Sequence, residues 1–224
     1  MELSNTTIYL RYPEAQLQYI VRKPALETAN PPVLFLLHGA GSNEQDLFSF
    51  AEHLPAKFLV ISVRAPFTLG PDSYTWYHMD STSGTPVIKR KQSDKSRNAL
   101  LQFITHMQLH YQFDSKQIYL CGFSQGAIMA YSLGLTRPDF IKGIAILSGR
   151  LLDETKSFVA SDEKLKPLDV FISHGTEDTV LPIHFAREGL EYLKTRNLKP
   201  TYKEYPEGHG ISNEMLDDLV EWLS

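Results

Sequence analysis

Cysteine is nearly absent: Cys121 stands alone among 224 residues. No internal disulfide can form, which excludes the stapled secreted folds and fits a reducing compartment. Neither sign of charge dominates, since 22 Lys and Arg against 26 Asp and Glu leave a formal net charge of −4. A nucleic-acid partner, which needs a basic footprint, is therefore not expected. No apolar run approaches the ~18 residues of a membrane span. Met1 to Thr7 is polar and lacks the basic start and apolar centre of a secretory signal. Internal repeats, low-complexity tracts and composition shifts are missing too, so residues 1–224 read as a single domain. The expectation is a cytoplasmic protein, either a monomer or a small oligomer such as a homodimer.

What is present is a regular alternation of short apolar runs with helix-period segments. Ile8 to Tyr12 and Leu17 to Val21 read as an N-terminal antiparallel strand pair around Pro13. Val33–Leu37, Lys57–Val63, Gln117–Cys121, Ile141–Leu147 and Leu168–Ser173 are apolar stretches of strand length. Runs without polar alternation belong to strands buried on both faces, as in a parallel sheet. Between them, Ser42 and Gln45 have capping-box spacing, which predicts a helix running to about His53. Further helices are expected over Ser93–Tyr111, Ala127–Leu135, Pro182 to about Arg196, and Met215–Leu223, with a last strand at Pro200–Tyr205. The reading is an α/β fold with a doubly wound, mostly parallel sheet. Two long connections interrupt it, 64–92 and 148–167. Neither is large enough for a separate lid domain.

The stretch Gly122-Phe123-Ser124-Gln125-Gly126 sits between an apolar strand and a helix. G-x-S-x-G in that context predicts a nucleophile elbow, with Ser124 at the apex and the glycines allowing strand and helix to meet. Alone the pattern arises often by chance, so its partners decide. A serine hydroxyl needs an adjacent base, and in sheets with this elbow the acid and then the histidine follow the serine along the chain. Three histidines lie downstream: His174, His184 and His209. His209 lies on a loop between the last strand and the last helix and ranks first. His184 falls within a predicted helix, and His174 ends a strand. The acid should lie beyond the carboxyl end of an intervening strand. Asp178 fits, with Asp153 second. Asp178 could otherwise be a simple turn or cap residue. Stabilising a developing oxyanion takes two backbone N–H donors. Gln125, after the nucleophile, supplies one, and Ala40 in His38-Gly39-Ala40-Gly41 is the positional candidate for the other, which leaves His38 a structural role.

These motifs, Leu37-His38-Gly39-Ala40-Gly41, Gly122-Phe123-Ser124-Gln125-Gly126, His174-Gly175-Thr176-Glu177-Asp178 with Val180 and Pro182, and Gly208-His209, occur in the order found in one family. The chain resembles the phospholipase/carboxylesterase family of α/β-hydrolases, which includes bacterial carboxylesterases and acyl-protein thioesterases. The resemblance implies an α/β-hydrolase fold, Ser124 as nucleophile, Asp178 and His209 as its relay, and Ala40 and Gln125 as oxyanion donors. It implies hydrolysis of small esters or thioesters without a cofactor or metal. Ala40, Ser42, Ala127 and Gly210 depart from the residues acyl-protein thioesterases usually carry there, which favours a bacterial-type esterase.

In the long connection 64–92, Phe67, Tyr74, Trp76 and Tyr77 either cover the core or wall a groove for a short- to medium-chain acyl group. His106 and His110 lack the glutamate of a zincin helix. Cys121 reads as a small buried hydrophobe, and Lys89-Arg90-Lys91 as a solvated face.

Overall fold

The structure is a computed structural model that describes residues 17–25, 28–80 and 87–224. In chain order the elements are β1 (Tyr19–Arg22), β2 (Val33–Leu37), a one-turn α1 (Gln45–Phe48), β3 (Leu59–Val63), β4 (Phe67–Gly70), β5 (Ser73–Thr75), β6 (Met79–Asp80), β7 (Val87–Ile88), α2 (Arg90–Tyr111), β8 (Ile118–Phe123), α3 (Gln125–Thr136), β9 (Gly143–Leu147), the short α4 (Asp153–Lys156) and α5 (Asp162–Leu165), β10 (Asp169–Gly175), α6 (His184–Thr195), β11 (Thr201–Tyr205) and α7 (Asn213–Leu223).

The unalternating strands behave as their composition requires. Every residue of β2, β3 and β9 is buried. Successive side chains of a strand point to opposite faces, so both faces must be covered. Val33, Phe35 and Leu37 pack into one cluster with Leu100 and Phe103 of α2, Met129 and Leu133 of α3, and Ala186 and Leu193 of α6. Leu34 and Leu36 pack into a second with Leu47 of α1 and Leu216, Leu219 and Leu223 of α7. The strands run β1-β3-β2-β8-β9-β10-β11 across a seven-stranded sheet. All pairs in it are parallel except β1 with β3, where Tyr19 lies opposite Val63. β1 is the second run of the expected N-terminal pair, and its antiparallel partner is β3. The first run, Ile8 to Tyr12, lies outside the described residues.

Local expectations fail where polar side chains choose other partners. Ser42 does not cap a helix, because its hydroxyl donates to Asp46 at 2.7 Å. The Gln45 amide instead donates to the Asn43 side chain at 2.9 Å. The helix ends after one turn at Phe48, and a 3₁₀ turn follows over Ala51–His53. The connection 64–92 is not irregular: β4 and β5 form a hairpin, and β6 pairs with β7. The loop 148–167 contains α4 and α5.

Candidate active site

β8 ends at Phe123 and α3 begins at Gln125, so Ser124 alone makes the turn. Its backbone has φ 53° and ψ −115°, a region costly for a residue with a side chain. The surroundings hold it there. The Ser124 amide donates to the Leu147 carbonyl at 2.9 Å, and its carbonyl accepts the Ile128 amide at 3.1 Å. Close approach explains the glycines. A β-carbon on Gly126 would lie 1.9 Å from the Leu37 carbonyl oxygen, and one on Gly122 would lie 2.3 Å from the backbone of Gly126.

At the carboxyl edge three of the expected residues meet. Ser124 Oγ is 2.9 Å from His209 Nε2. His209 Nδ1 is 2.7 Å from Asp178 Oδ2. A carboxylate only accepts, so Nδ1–H donates to it and leaves Nε2 unprotonated towards the serine hydroxyl. The Phe123 ring lies against the imidazole, with centroids 4.9 Å apart. Asp178, whose side chain is fully buried, also accepts the amides of Val180 and Leu181 at Oδ1, at 2.9 and 2.8 Å. Together with the contact to His209, these bonds fix the position of the carboxylate. Asp153 takes no part: it is exposed on α4 and pairs with Lys156 at 2.6 Å. His184 is exposed at the start of α6.

His174 lies behind the carboxylate. Its Nε2–H donates to the Leu181 carbonyl at 2.6 Å and stands 3.3 Å from Asp178 Oδ2. Burial pulls its pKa below the ordinary histidine range, and its Nδ1 is buried with no partner among the described residues. It is a neutral ring propping the Asp178 turn. In the sequence it is only a histidine before a glycine, with nothing to mark that contact.

The two expected oxyanion donors have free amides. Neither Ala40 N–H nor Gln125 N–H has an acceptor among the described residues. The loop carrying Ala40 is stitched to the β4–β5 hairpin, where the Gly41 amide donates to the Tyr74 carbonyl and the Tyr74 amide to the Ser42 carbonyl, both at 2.8 Å. His38 is fully buried beneath it. Its Nδ1–H donates to the Gly39 carbonyl at 2.7 Å, while Nε2 accepts the Ala65 amide at 3.0 Å. Burial lowers its pKa as well. Glu44, buried in the same loop, pairs twice with Arg64, at 2.5 and 2.6 Å.

For Trp76 and Tyr77 in the aromatic segment the structure takes the core-covering alternative, which removes Trp76 from the groove. Trp76 is fully buried and cannot wall an open groove; the same holds for Tyr77. The Trp76 indole N–H donates to the His38 carbonyl at 2.9 Å, so the side chain with the largest volume in the loop is spent on packing and on tethering the Ala40 turn. Tyr74 lies under the Arg64 guanidinium, 4.4 Å from the ring centroid, and accepts from it at 3.0 Å. Phe67 is partly buried beside His78. Nothing in the sequence marks the Gln125 side chain as a structural device. It accepts the Trp76 amide at 2.7 Å and the Thr75 hydroxyl at 2.8 Å, and donates to the Tyr77 carbonyl at 2.9 Å. Burial pushes the Cys121 thiol up to about 12, so it is inert as a nucleophile. Among the described residues no group of three or more His, Cys, Asp or Glu is placed to hold a metal ion.

Comparison with known proteins agrees with this architecture. Carboxylesterase SOBER1 of Arabidopsis thaliana is 26% identical over 202 residues, covering 84% of this chain and 87% of that protein. Acyl-protein thioesterase 1 of Kluyveromyces lactis is 27% identical, with 86% of this chain and 90% of that one covered. The crystal structure of a carboxylesterase from Mesorhizobium loti superposes with a TM-score of 0.82 at 21% identity, covering 98% of this chain and 99% of the other. That fold is the α/β-hydrolase fold. The sequence profile of the phospholipase/carboxylesterase family matches residues 20–224, and the chain belongs to that family.

Proposed function

We propose that the protein is a serine hydrolase that cleaves carboxylic esters through an acyl-enzyme on Ser124. The observation that carries this is the continuous line Ser124 Oγ–His209 Nε2–Asp178 Oδ2, at 2.9 and 2.7 Å. His209 takes the hydroxyl proton as Ser124 attacks the carbonyl carbon. Asp178 stabilises the imidazolium that forms. The amides of Ala40 and Gln125 receive the oxyanion. His209 then gives its proton to the departing alcohol, and water repeats the cycle on the acyl-enzyme.

Soluble esters of short- to medium-chain acyl groups are the proposed substrates. The groove is shallow in this reading and is not walled by Trp76, which is fully buried; Phe67 and Tyr74, both partly exposed, keep their proposed place in it. The chain works as one domain without a lid, in the reducing cytoplasm that its single buried cysteine suits. Among the described residues no helix is long and apolar enough to cross a membrane. The relative named acyl-protein thioesterase favours a second reading, hydrolysis of thioesters by the same machinery.

A fluorophosphonate probe followed by peptide mapping tests the core of this proposal. Covalent label on Ser124, lost in Ser124→Ala, is expected; label on another serine, or none, refutes it. Rates on matched esters and thioesters then separate the two readings.

A further inference from the structure

One cation on the edge that carries the site has no ion-pair contact among the described residues. β9 ends at Leu147, the residue whose carbonyl holds the Ser124 amide. The chain then turns at Ser148, with φ 47°. It passes so close to α3 that a β-carbon on Gly149 would sit 2.4 Å from that of Ala127, in the first turn after the nucleophile. Arg150 comes next. Its guanidinium lies over the Phe185 ring, 5.1 Å from the centroid. Phe185 is in the first turn of α6, just past the Asp178 turn. Arg150 is thus bracketed by the segments that present Ser124 and Asp178. Its charge also reaches the phenol of Tyr77, whose carbonyl is tied to Gln125.

Among the described arginines, Arg64, Arg97, Arg137, Arg187 and Arg196 each meet a carboxylate, Arg22 donates to the carbonyls of Leu54, Pro55 and Phe58, and Arg90 is exposed to solvent. Arg150 makes no hydrogen bond and no ion pair among the described residues, and its Nε is buried without a partner. The nearby Asp153 feels the charge of Arg150 but makes its contact with Lys156, at 2.6 Å. A buried donor with no acceptor is costly. A guanidinium is always charged, and its planar fork matches a carboxylate in a bidentate fashion.

We propose that Arg150 recognises a carboxylate carried by the substrate, so that the preferred substrates are small esters bearing a negative charge, such as half-esters of dicarboxylic acids. This deepens, and rests on, the serine-hydrolase reading above. The carboxylate can sit on the acyl side or on the alcohol side of the scissile bond, and two probes distinguish these.

Hydrolysis is followed by pH-stat on three esters: ethyl butyrate as the neutral reference, monoethyl succinate with the charge on the acyl side, and the butyrate ester of glycolate with the charge on the alcohol side. The readout is the ratio of kcat/KM for each anionic ester to that for ethyl butyrate on the same preparation, which is insensitive to the fraction folded. For one of the two anionic esters, Arg150→Met is expected to lower this ratio about 10- to 100-fold, the scale of a charged hydrogen bond, while Arg150→Lys retains part of it. Ratios within twofold of wild type for both probes would mean that Arg150 only stacks on Phe185, and would overturn the proposal. Binding of the two anionic esters to Ser124→Ala, with and without Arg150→Met, is measured by NMR titration to keep the two readings apart. Arg150-dependent binding with no turnover of any ester by the wild type sinks the hydrolase reading and leaves the anion site. Turnover of all three with unmoved ratios does the reverse.

Discussion

The Gln125 side-chain carbonyl accepts the main-chain N–H of Trp76 at 2.7 Å, joining the residue after Ser124, the proposed nucleophile, to the loop that supports Ala40, the other proposed oxyanion donor. Through Trp76 Nε1 and the His38 carbonyl the tether reaches the Ala40 turn. One side chain therefore ties both proposed donor amides into one rigid unit. Gln125→Leu should orphan the Trp76 amide, at about 1–3 kcal/mol for a buried group left unpaired, while the Tyr77 carbonyl keeps the Thr75 hydroxyl as donor. Because misplaced donors act on the transition state, kcat should fall more than KM rises. Thermal melts and steady-state kinetics on the variant check both; a variant with a lowered Tm and unchanged kcat would limit Gln125 to a structural role.

Trp76→Phe keeps most of the packed volume but removes the indole donor to His38. A loss of about 1–3 kcal/mol is expected, with no change in preference for acyl chain length because the ring does not reach solvent. Urea unfolding gives the first quantity and a series of acyl esters the second. A shifted chain-length optimum would return Trp76 to the groove.

Glu44 is sealed, at 1% side-chain exposure, against Arg64 at 18%. Removing one member of a buried pair strands the other charge, so Arg64→Met should destabilise the fold by about 3–5 kcal/mol. The double variant Arg64→Met with Glu44→Gln should recover most of that loss. A double-mutant cycle in urea measures the difference, and additive effects would show that the pair is not coupled.

Two buried imidazoles, His38 and His174, have pKa values depressed chiefly by burial. Each stays neutral in the folded protein while its unfolded counterpart titrates near 6.5. As pH falls below that value the unfolded chain binds protons the folded one refuses. Stability is then lost going down in pH, by up to about 1.4 kcal/mol per unit for each ring, until the depressed folded pKa is reached. Unfolding free energies from pH 8 to 5 should show this slope, and His174→Gln should remove one ring's share. An unchanged slope in that variant would locate the effect elsewhere.

Asp178→Asn should leave the turn folded yet lower kcat by about 10³–10⁴-fold, as it removes the charge that sets the His209 tautomer and stabilises its protonated form. Asp153→Asn should leave turnover near wild type, since that carboxylate is exposed and paired with Lys156. Parallel kinetics on the two variants decide between the acids.

The elements that depend on neighbours in the chain are legible in the amino-acid sequence alone. An unbroken apolar run such as Val33–Leu37 can be satisfied only by cover on both faces. Glycines around Ser124 announce a turn too tight for side chains. The order of Ser124, Asp178 and His209 along the chain follows from which strand ends share an edge, and the fold brings these three within hydrogen-bond distance. What tertiary structure alone decided is which side chain each polar group would meet. Nothing local says that Ser42 prefers Asp46 to a helix amide, or that the Trp76 indole turns inward to the His38 carbonyl. Nor does anything local place the Gln125 amide group in the Thr75–Tyr77 loop, His174 behind Asp178, or Arg150 beside the site without a carboxylate. These contacts link residues far apart in sequence, and their geometry is set by the sum of many packing contacts across two clusters. Backbone preference is a property of a few consecutive residues; hydrogen-bond partnership between distant segments is a property of the assembled sheet.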